Sequence, residues 1–236
     1  MASRRKATPS GKRSVWRWIR APFKWAFLAL FGYLLACTLL LVAYRWVDPP
    51  ITTVQIQRLT EAAIAGEPFS LRYDPVADDA QDIDARQAVV ASEDARFYTH
   101  HGFDAVELRA AYEEARAGGG MRGASTITQQ LVKNLFLTTH RSWIRKGMEV
   151  PLTVLAELIV PKERILTLYL NSAEWGPGVF GLQAAASHHY GTSASALSRE
   201  QAARLVAVLP APLERRPQNM SRTSSRIQTR MRQMGW

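Results

Sequence analysis

Two glutamates and a group of cations in the middle of the chain have the residue types for acid–base and phosphate chemistry. Glu93 and Glu149 are the carboxylates, and the cations are Lys133, Arg141, Arg145 and Lys146. A carboxylate can take a proton from a hydroxyl as a general base. Lysine and arginine can hold a pyrophosphate and stabilise it as it leaves. The combination suits glycosyl transfer from a sugar on a polyprenyl pyrophosphate, but residue types alone leave other reactions open.

These residues fall within five ordered patterns. The first is Glu93-Asp94-x-x-Phe97-x-x-His100-x-Gly102-Phe103-Asp104, the second is the stretch RGASTITQQLVKN from Arg122 to Asn134, and the third is RSWIRKGME from Arg141 to Glu149. The fourth is Lys162-x-x-Ile165-Leu166-x-x-Tyr169-Leu170-Asn171 and the fifth is Gly176-x-Gly178-x-x-Gly181. In this order and spacing they closely resemble the signature motifs of the peptidoglycan glycosyltransferases, glycosyltransferase family 51. The resemblance runs from about Pro49 to Pro212.

The resemblance implies a fold and a reaction. The fold is a mostly α, lysozyme-like domain with a membrane-proximal jaw. The acceptor is lipid II, an undecaprenyl-pyrophosphate disaccharide-pentapeptide, and the donor is the growing glycan still on its lipid. We expect a monofunctional member, because no Lys-Thr-Gly of a transpeptidase domain occurs. Two other classes stay open: a lysozyme-like glycan-cleaving enzyme, and a non-enzymatic scaffold for cell-wall synthesis.

The resemblance also implies residue roles. Glu93 matches the general base, which takes the proton from the acceptor GlcNAc 4-hydroxyl. That oxygen attacks C1 of the donor MurNAc with inversion to a β-1,4 bond. Glu149 matches the second essential glutamate, at the leaving pyrophosphate. The phosphate-side cations are Lys133, Arg141, Arg145 and Lys146, and the cleft residues of the second motif are Ser125, Thr126, Gln129, Gln130 and Asn134.

Three features depart from the family pattern. Thr167 occupies a position in the fourth motif where the family often has glutamate, and we interpret that position as structural because Glu93 and Glu149 are both present. His189-Tyr190 replaces a common aromatic pair. Pro151 follows closely after Glu149, where it can change the direction of that carboxylate.

An uncharged apolar segment precedes the catalytic motifs. Trp25 to Tyr44 is twenty residues long, enough for a helix to cross about 30 Å of hydrocarbon. Eight basic residues precede it, which places the N-terminus in the cytoplasm by the positive-inside rule. A cleaved signal peptide is the alternative, but its apolar region is usually shorter. We therefore predict a single-pass protein of the bacterial inner membrane with a periplasmic catalytic domain.

The predicted organisation has four parts. Residues 1–24 form a basic cytoplasmic tail, 25–44 the transmembrane helix, 45–86 a membrane-proximal connector and 87–236 the glycosyltransferase domain. The formal charge of +10 is uneven: residues 1–47 and 117–236 are basic, and residues 48–116 are acidic. Because the first basic block is a topology signal, the expected anionic partners are bilayer headgroups and a lipid pyrophosphate, not nucleic acid. The lipid-linked glycan and other cell-wall synthases complete the expected partners.

Local signals predict the helices that carry the motifs. Asp104 is an N-cap for a helix to about Arg116, and Gly118–Gly120 forms a loop. Thr126 and Gln129 have capping-box spacing. Further helices are predicted over 87–95, from Ser142 to about Val160, over 164–171, from Ser198, and from Ser221. Gly176–Gly181 is predicted as a loop, and no run of strands is predicted.

Two patterns that suggest other chemistry have simpler interpretations. Gly176-x-Gly178-x-x-Gly181 matches a dinucleotide fingerprint but lacks a βαβ context, so we interpret it as a turn. The adjacent pairs His100-His101 and His188-His189 diverge on regular elements, so no metal site is predicted. We expect no required cofactor, with Mg²⁺ or Mn²⁺ at most stimulatory at the pyrophosphate. The one cysteine, Cys37, lies in the apolar segment, which leaves the outer domain without a thiol nucleophile.

Overall fold

The computed structural model describes residues 11–119 and 123–236, with side chains from residue 22 onward. The chain divides into two compact units, residues 1–40 and 41–236. Helix α1, Gly11–Tyr44, accounts for the described part of the first unit and continues into the second. Its segment Pro22–Tyr44 has a mean hydropathy of 2.4 and, by length and composition, could cross a membrane. The predicted transmembrane segment therefore lies within a longer helix.

The second unit is mostly α-helical, as predicted. Its helices are α2 (Thr53–Ala65), α3 (Ile83–Glu93), α4 (Ala105–Arg116), α5 (Ile127–Phe136), α6 (Trp143–Ile159), α7 (Lys162–Ser172), α8 (Leu182–Tyr190), α9 (Arg199–Val206) and α10 (Ser221–Gln233). Single 3₁₀ turns occupy Asp78–Ala80, Ala194–Ala196 and Pro217–Asn219. The connector and the glycosyltransferase domain expected to meet at residue 86 belong to the same unit.

The predicted helix caps are confirmed. The Asp104 side chain accepts hydrogen bonds from the backbone N–H groups of the first turn of α4. Thr126 and Gln129 form a capping box at α5, and Ser142 caps α6. Ser198 forms a further capping box at α9. Each cap satisfies backbone donors that a helix start leaves unpaired, so the sequence signal has a direct structural cause.

The helix predicted over 87–95 begins and ends earlier than expected. Helix α3 starts at Ile83, because Asp82 accepts a hydrogen bond from Ala85 N as its N-cap. The helix ends at Glu93, with Asp94 as the C-cap. The expected base is thus the last helical residue and not a mid-helix one.

A small sheet replaces part of the predicted loop at the fifth motif. Strands β2 (Glu174–Gly176) and β3 (Val179–Phe180) are antiparallel, and β1 (Arg72–Tyr73) pairs parallel to β3. The turn between β2 and β3 contains Gly178 at φ +72°, where an added Cβ would lie 2.4 Å from Ser70 O. The interpretation of this motif as a turn is confirmed. The strands were missed because two or three residues are too few to show alternation.

The core of the second unit forms around α5 and α7. The apolar face of α5, Ile127, Leu131 and Leu135, is buried, and α5 packs on α2, α6 and α7. Helix α3 packs instead on α9 and α10. The two groups of helices bring the end of α3 beside α5, so Glu93 of the first motif meets Gln130 of the second.

Candidate active site

Glu93 is held at the end of α3 by a chain of hydrogen bonds from two other helices. Its Oε2 accepts a hydrogen bond from Gln130 Nε2 at 3.0 Å. The Gln130 amide oxygen accepts in turn from Tyr169 Oη at 3.0 Å. Because Tyr169 occupies the oxygen of this amide, the NH₂ group is turned toward Glu93. Helices α5 and α7 together therefore fix the direction of the Glu93 carboxylate.

The surroundings of Glu93 strengthen it as a base. Burial raises the pKa of its carboxyl group above the ordinary glutamate value. Hydrogen bonds from Gln130 and Ser92, and the charges of Lys133 and Arg215, act in the opposite direction. The net effect is a raised pKa on a half-buried side chain, so the carboxylate accepts a proton more readily than a solvated one.

Gln130→Met should move the acid limb of the pH–rate profile to higher pH. Gln130 lowers the pKa of Glu93 by donating to its charged form, so losing this donor lets the pKa rise further. Activity requires deprotonated Glu93 and should therefore disappear at a higher pH as the solution is acidified. The measurement is kcat/KM against pH. Tyr169→Phe, which frees the Gln130 amide to rotate, should shift the limb in the same direction by less, and an unmoved limb in both variants would refute this arrangement.

Lys133 lies one turn after Gln130 on α5. Burial lowers the pKa of its ammonium group, as does repulsion by Arg145 and Lys146, while Glu149 and Glu93 oppose the change. Within the described parts of the chain no carboxylate lies within ion-pair distance of its amine. A half-buried cation without a carboxylate partner is well suited to bind an anion, which would also restore its pKa.

Glu149 is the centre of a charge cluster on α6. Its carboxylate is buried, with one oxygen paired to Arg145 and the other 2.7 Å from Lys146 Nζ. Lys146 Nζ also donates to Ser125 Oγ at 3.2 Å. Helix α6 continues through Pro151, and Glu149 keeps this inward direction. Both of its oxygens are occupied by cations, so the visible effect of Glu149 is to position Arg145 and Lys146.

Two clefts adjoin at the Glu93–Gln130 hydrogen bond. The first, about 410 Å³, is lined by α3, the second motif and α10, and includes Glu93, Ser125, Thr126 and Arg230. The second, about 320 Å³, includes Gln130, Lys133, Asn134 and Tyr169 together with the loop 209–214. A proton acceptor thus faces one cleft and a free ammonium group faces the next. The arrangement allows proton removal and charge stabilisation on neighbouring parts of one substrate.

The remaining predicted site residues take different places. Gln129 is buried, and its side-chain oxygen accepts from Thr126 N in the capping box, so in this structure it supports α5. Arg141 is exposed just before α6. Arg122, part of the second motif, lies outside the described residues. The binding roles of Gln129 and Arg141 stay predictions.

Asp94 joins the two helices that carry the site. Its Oδ2 accepts from Ile127 N at 3.0 Å and its Oδ1 lies 2.8 Å from His100 Nε2. His100 Nδ1 accepts from Gly102 N, so Nε2 carries the proton toward Asp94. Asp94 therefore fixes the start of α5 against the end of α3. Asp94 is thus both the C-cap of α3 and the residue that orients the start of α5.

Asp94, His100 and Asp104 are the one group of three in the described residues whose ligand atoms lie close enough to share a metal ion. Each of them already serves the protein. Asp104 pairs with Arg96 at 2.5 Å and caps α4, and the other two bind each other. A cation at this position would replace these hydrogen bonds.

Sequence reasoning did not find the roles of Tyr169 and Arg58. Tyr169 is fully buried and orients Gln130 from α7. Arg58 on α2 lines the second cleft and forms an ion pair with Glu174 at 3.0 Å. The fourth motif contains Tyr169, but nothing in its spacing shows that its hydroxyl reaches a residue 39 positions earlier.

The departure at Thr167 has a structural explanation. The Thr167 hydroxyl is buried and accepts from Arg86 at 3.1 Å. The carboxylate for Arg86 comes from Glu163, one turn earlier on α7, at 2.7 Å. This supports the structural interpretation of position 167, because the position faces Arg86.

Glu163→Gln should destabilise the protein by about 1 kcal/mol, because the mostly buried Arg86 guanidinium loses the carboxylate that pairs with it. The loss is no larger because the Glu163 side chain is exposed, and ion pairs of exposed groups contribute little to stability. Adding Thr167→Glu should restore the loss, since a carboxylate returns to Arg86 from the next turn. Urea unfolding of the two variants and the wild type measures this. A double variant less stable than Glu163→Gln alone would contradict the substitution of one carboxylate for the other.

Comparisons with known proteins agree with the motifs. A family model described as "Transglycosylase" matches residues 70–235. A relative from Pseudomonas putida strain W619 is 47% identical over 208 residues, covering 88% of this chain and 86% of the relative. One from Chromohalobacter salexigens is 46% identical over 222 residues, covering 92% and 95%. One from Pseudomonas aeruginosa is 45% identical over 196 residues, covering 83% and 84%. All three carry the name biosynthetic peptidoglycan transglycosylase.

Proposed function

The chain belongs to the transglycosylase family and polymerises the glycan of peptidoglycan, and we propose that it does so from lipid II with Glu93 as the general base. One arrangement supports this most. The Gln130 amide, oriented by Tyr169, donates to the carboxylate of Glu93, whose pKa is raised by burial. Lys133 follows one turn later on α5, and its half-buried ammonium group has no carboxylate partner among the described residues. The residue that holds the base, Gln130, and the proposed phosphate-binding cation, Lys133, thus lie three positions apart on α5, at two adjoining clefts.

The chemical step is a single displacement. Glu93 takes the proton of the acceptor GlcNAc 4-hydroxyl as that oxygen forms a bond to C1 of the donor MurNAc. The bond from C1 to the pyrophosphate oxygen breaks on the opposite face, so the new bond is β-1,4. Undecaprenyl pyrophosphate leaves with the bonding electron pair, and the proton stays on Glu93 until solvent removes it. The site needs no covalent intermediate, because the two reactants meet directly.

Cations stabilise the negative charge of the leaving pyrophosphate. Lys133 binds a pyrophosphate oxygen, and Arg145 and Lys146, positioned by Glu149, stabilise the negative charge that develops as the bond to C1 breaks. Exposed Arg141 adds a further phosphate contact at the start of α6. No cofactor is required in this scheme, and Mg²⁺ or Mn²⁺ is at most stimulatory.

The membrane is the second partner. The α1 segment Pro22–Tyr44 anchors the chain with its basic N-terminus in the cytoplasm and the second unit in the periplasm. We assign α6 to the jaw at the bilayer surface, because this helix exposes the large apolar side chains Trp143, Ile144 and Leu158. These side chains would lose contact with water by entering the lipid interface. The lipid-linked glycan and lipid II then reach the clefts from the bilayer in which they are held.

Full-length protein in detergent, given fluorescent lipid II, should consume it and release undecaprenyl pyrophosphate in proportion to the glycan formed. A glycan-cleaving enzyme would instead release soluble fragments from finished peptidoglycan and leave lipid II intact. A scaffold would do neither. The comparisons and the cation set favour polymerisation, since cleavage of finished glycan has no pyrophosphate for Lys133 to bind.

A further inference from the structure

Helix α10 carries an arginine stripe that the polymerisation scheme does not use. Arg222, Arg226 and Arg230 recur every four residues on one exposed face, and with Ser225 and Thr229 they line an open groove of about 560 Å³. The opposite face buries Ile227 and Met231 against α3 and α9. Helix α10 thus has one face that packs and one that carries only positive charge.

Internal contacts do not explain the arginine stripe. Like charges four residues apart on a helix repel, and Arg222 in the first turn is unfavourable for the helix dipole. Over residues 11–119 and 123–236, no carboxylate lies within ion-pair distance of the three guanidinium groups. The stripe therefore costs stability in the free protein, and a bound anion would offset this cost.

The arginine stripe begins in the cleft that contains Glu93. Arg230 lines that cleft together with Gln233 and Met234. An anionic group on a substrate in this cleft is attracted toward Arg230 and from there along α10. From position 230 to position 222 the stripe extends about 12 Å, the reach of roughly four extended residues.

We propose that the arginine stripe binds the carboxylates of the stem peptide on the sugar held in the Glu93 cleft. This rests on the proposed function, because lipid II brings a pentapeptide whose C-terminus is a carboxylate. Guanidinium groups bind carboxylates with two parallel hydrogen bonds, and free arginines spaced along a helix fit an extended acidic peptide. Continuity with the cleft favours the peptide over lipid headgroups, because one end of the stripe, Arg230, lines the cleft that contains Glu93.

The test uses full-length protein carrying Arg222→Gln and Arg226→Gln together, both outside the Glu93 cleft lining. Arg109→Gln is the matched control, because Arg109 is an exposed arginine on α4 that pairs with Glu113 and lines neither the groove of the stripe nor the Glu93 cleft. The substrates are lipid II with free peptide carboxylates and lipid II with those carboxylates converted to amides. The double variant should raise KM about tenfold for the acidic substrate with kcat unchanged, and by less than about twofold for the amidated one. The control should behave as the wild type.

Equal losses on both substrates, or on neither, would overturn the peptide subsite. So would a loss that appears only on phosphatidylglycerol vesicles and vanishes in detergent, which would assign the arginine stripe to lipid headgroups. A second measurement is independent of catalysis: calorimetric titration of a disaccharide-pentapeptide without lipid or pyrophosphate. Binding should be about tenfold weaker for the double variant than for the wild type. If the wild type leaves lipid II unconsumed, the proposed function fails, while this titration still decides the stripe.

Discussion

Lys133→Met should reduce kcat for glycan formation by about 10²–10³-fold, the usual cost of removing one charged group that stabilises a developing oxyanion. The reason lies in its position: the ammonium group is half-buried, has a lowered pKa, and lies one turn after Gln130, with no carboxylate partner in the part of the chain that the structure describes. Methionine keeps the length and apolar contacts of the stem. The loss should appear in single-turnover measurements, where binding and product release do not contribute.

Lys133→Arg is the control, because it keeps the charge and changes the pKa. The pKa of Lys133 is below that of an ordinary lysine. The wild type therefore loses this positive charge, and with it activity, as the pH rises through that lowered pKa. A guanidinium group stays charged throughout this range. The basic limb of kcat/KM should therefore move to higher pH in Lys133→Arg. A basic limb that stays in place would show that another group sets it.

Local signals explain why much of the fold was predictable. A cap such as Thr126 with Gln129 binds groups three residues away, so its whole mechanism lies within a short stretch of sequence. The same holds for Asp104 and for Ser198 with Gln201. The start of α3 was missed because Arg86 follows its cap Asp82, and a charged residue there suggests an exposed loop. Arg86 is buried only because Thr167 and Glu163 meet it from α7.

The candidate site was predictable in its residues but not in its connections. Motif resemblance selected Glu93, Gln130 and Lys133, yet the hydroxyl of Tyr169 that orients Gln130 comes from another helix. The sequence likewise showed Glu149 as a second carboxylate, whereas its two oxygens are committed to cations on its own helix. Such partners depend on packing between helices distant in sequence, and a single sequence carries no periodic signal for them.

Glu93→Gln should reduce glycan formation by about 10²–10⁴-fold, the contribution typical of a positioned general base. Glutamine keeps the size of the side chain and can still meet Gln130, so the fold and the affinity for lipid II should be preserved. Glu93→Asp should fall between, because it keeps the carboxylate but withdraws it from the acceptor hydroxyl. If glycan formation is lost while lipid II binding is unchanged, Glu93 acts as a base and does not only hold the substrate.

The most direct measurement is single-turnover conversion of labelled lipid II by full-length wild type and Glu93→Gln in parallel, with lipid II binding measured on both. We predict long glycan from the wild type, almost none from Glu93→Gln, and equal binding. Polymerisation by Glu93→Gln at the wild-type rate would contradict the assignment of the base and, with it, the mechanism built on this site.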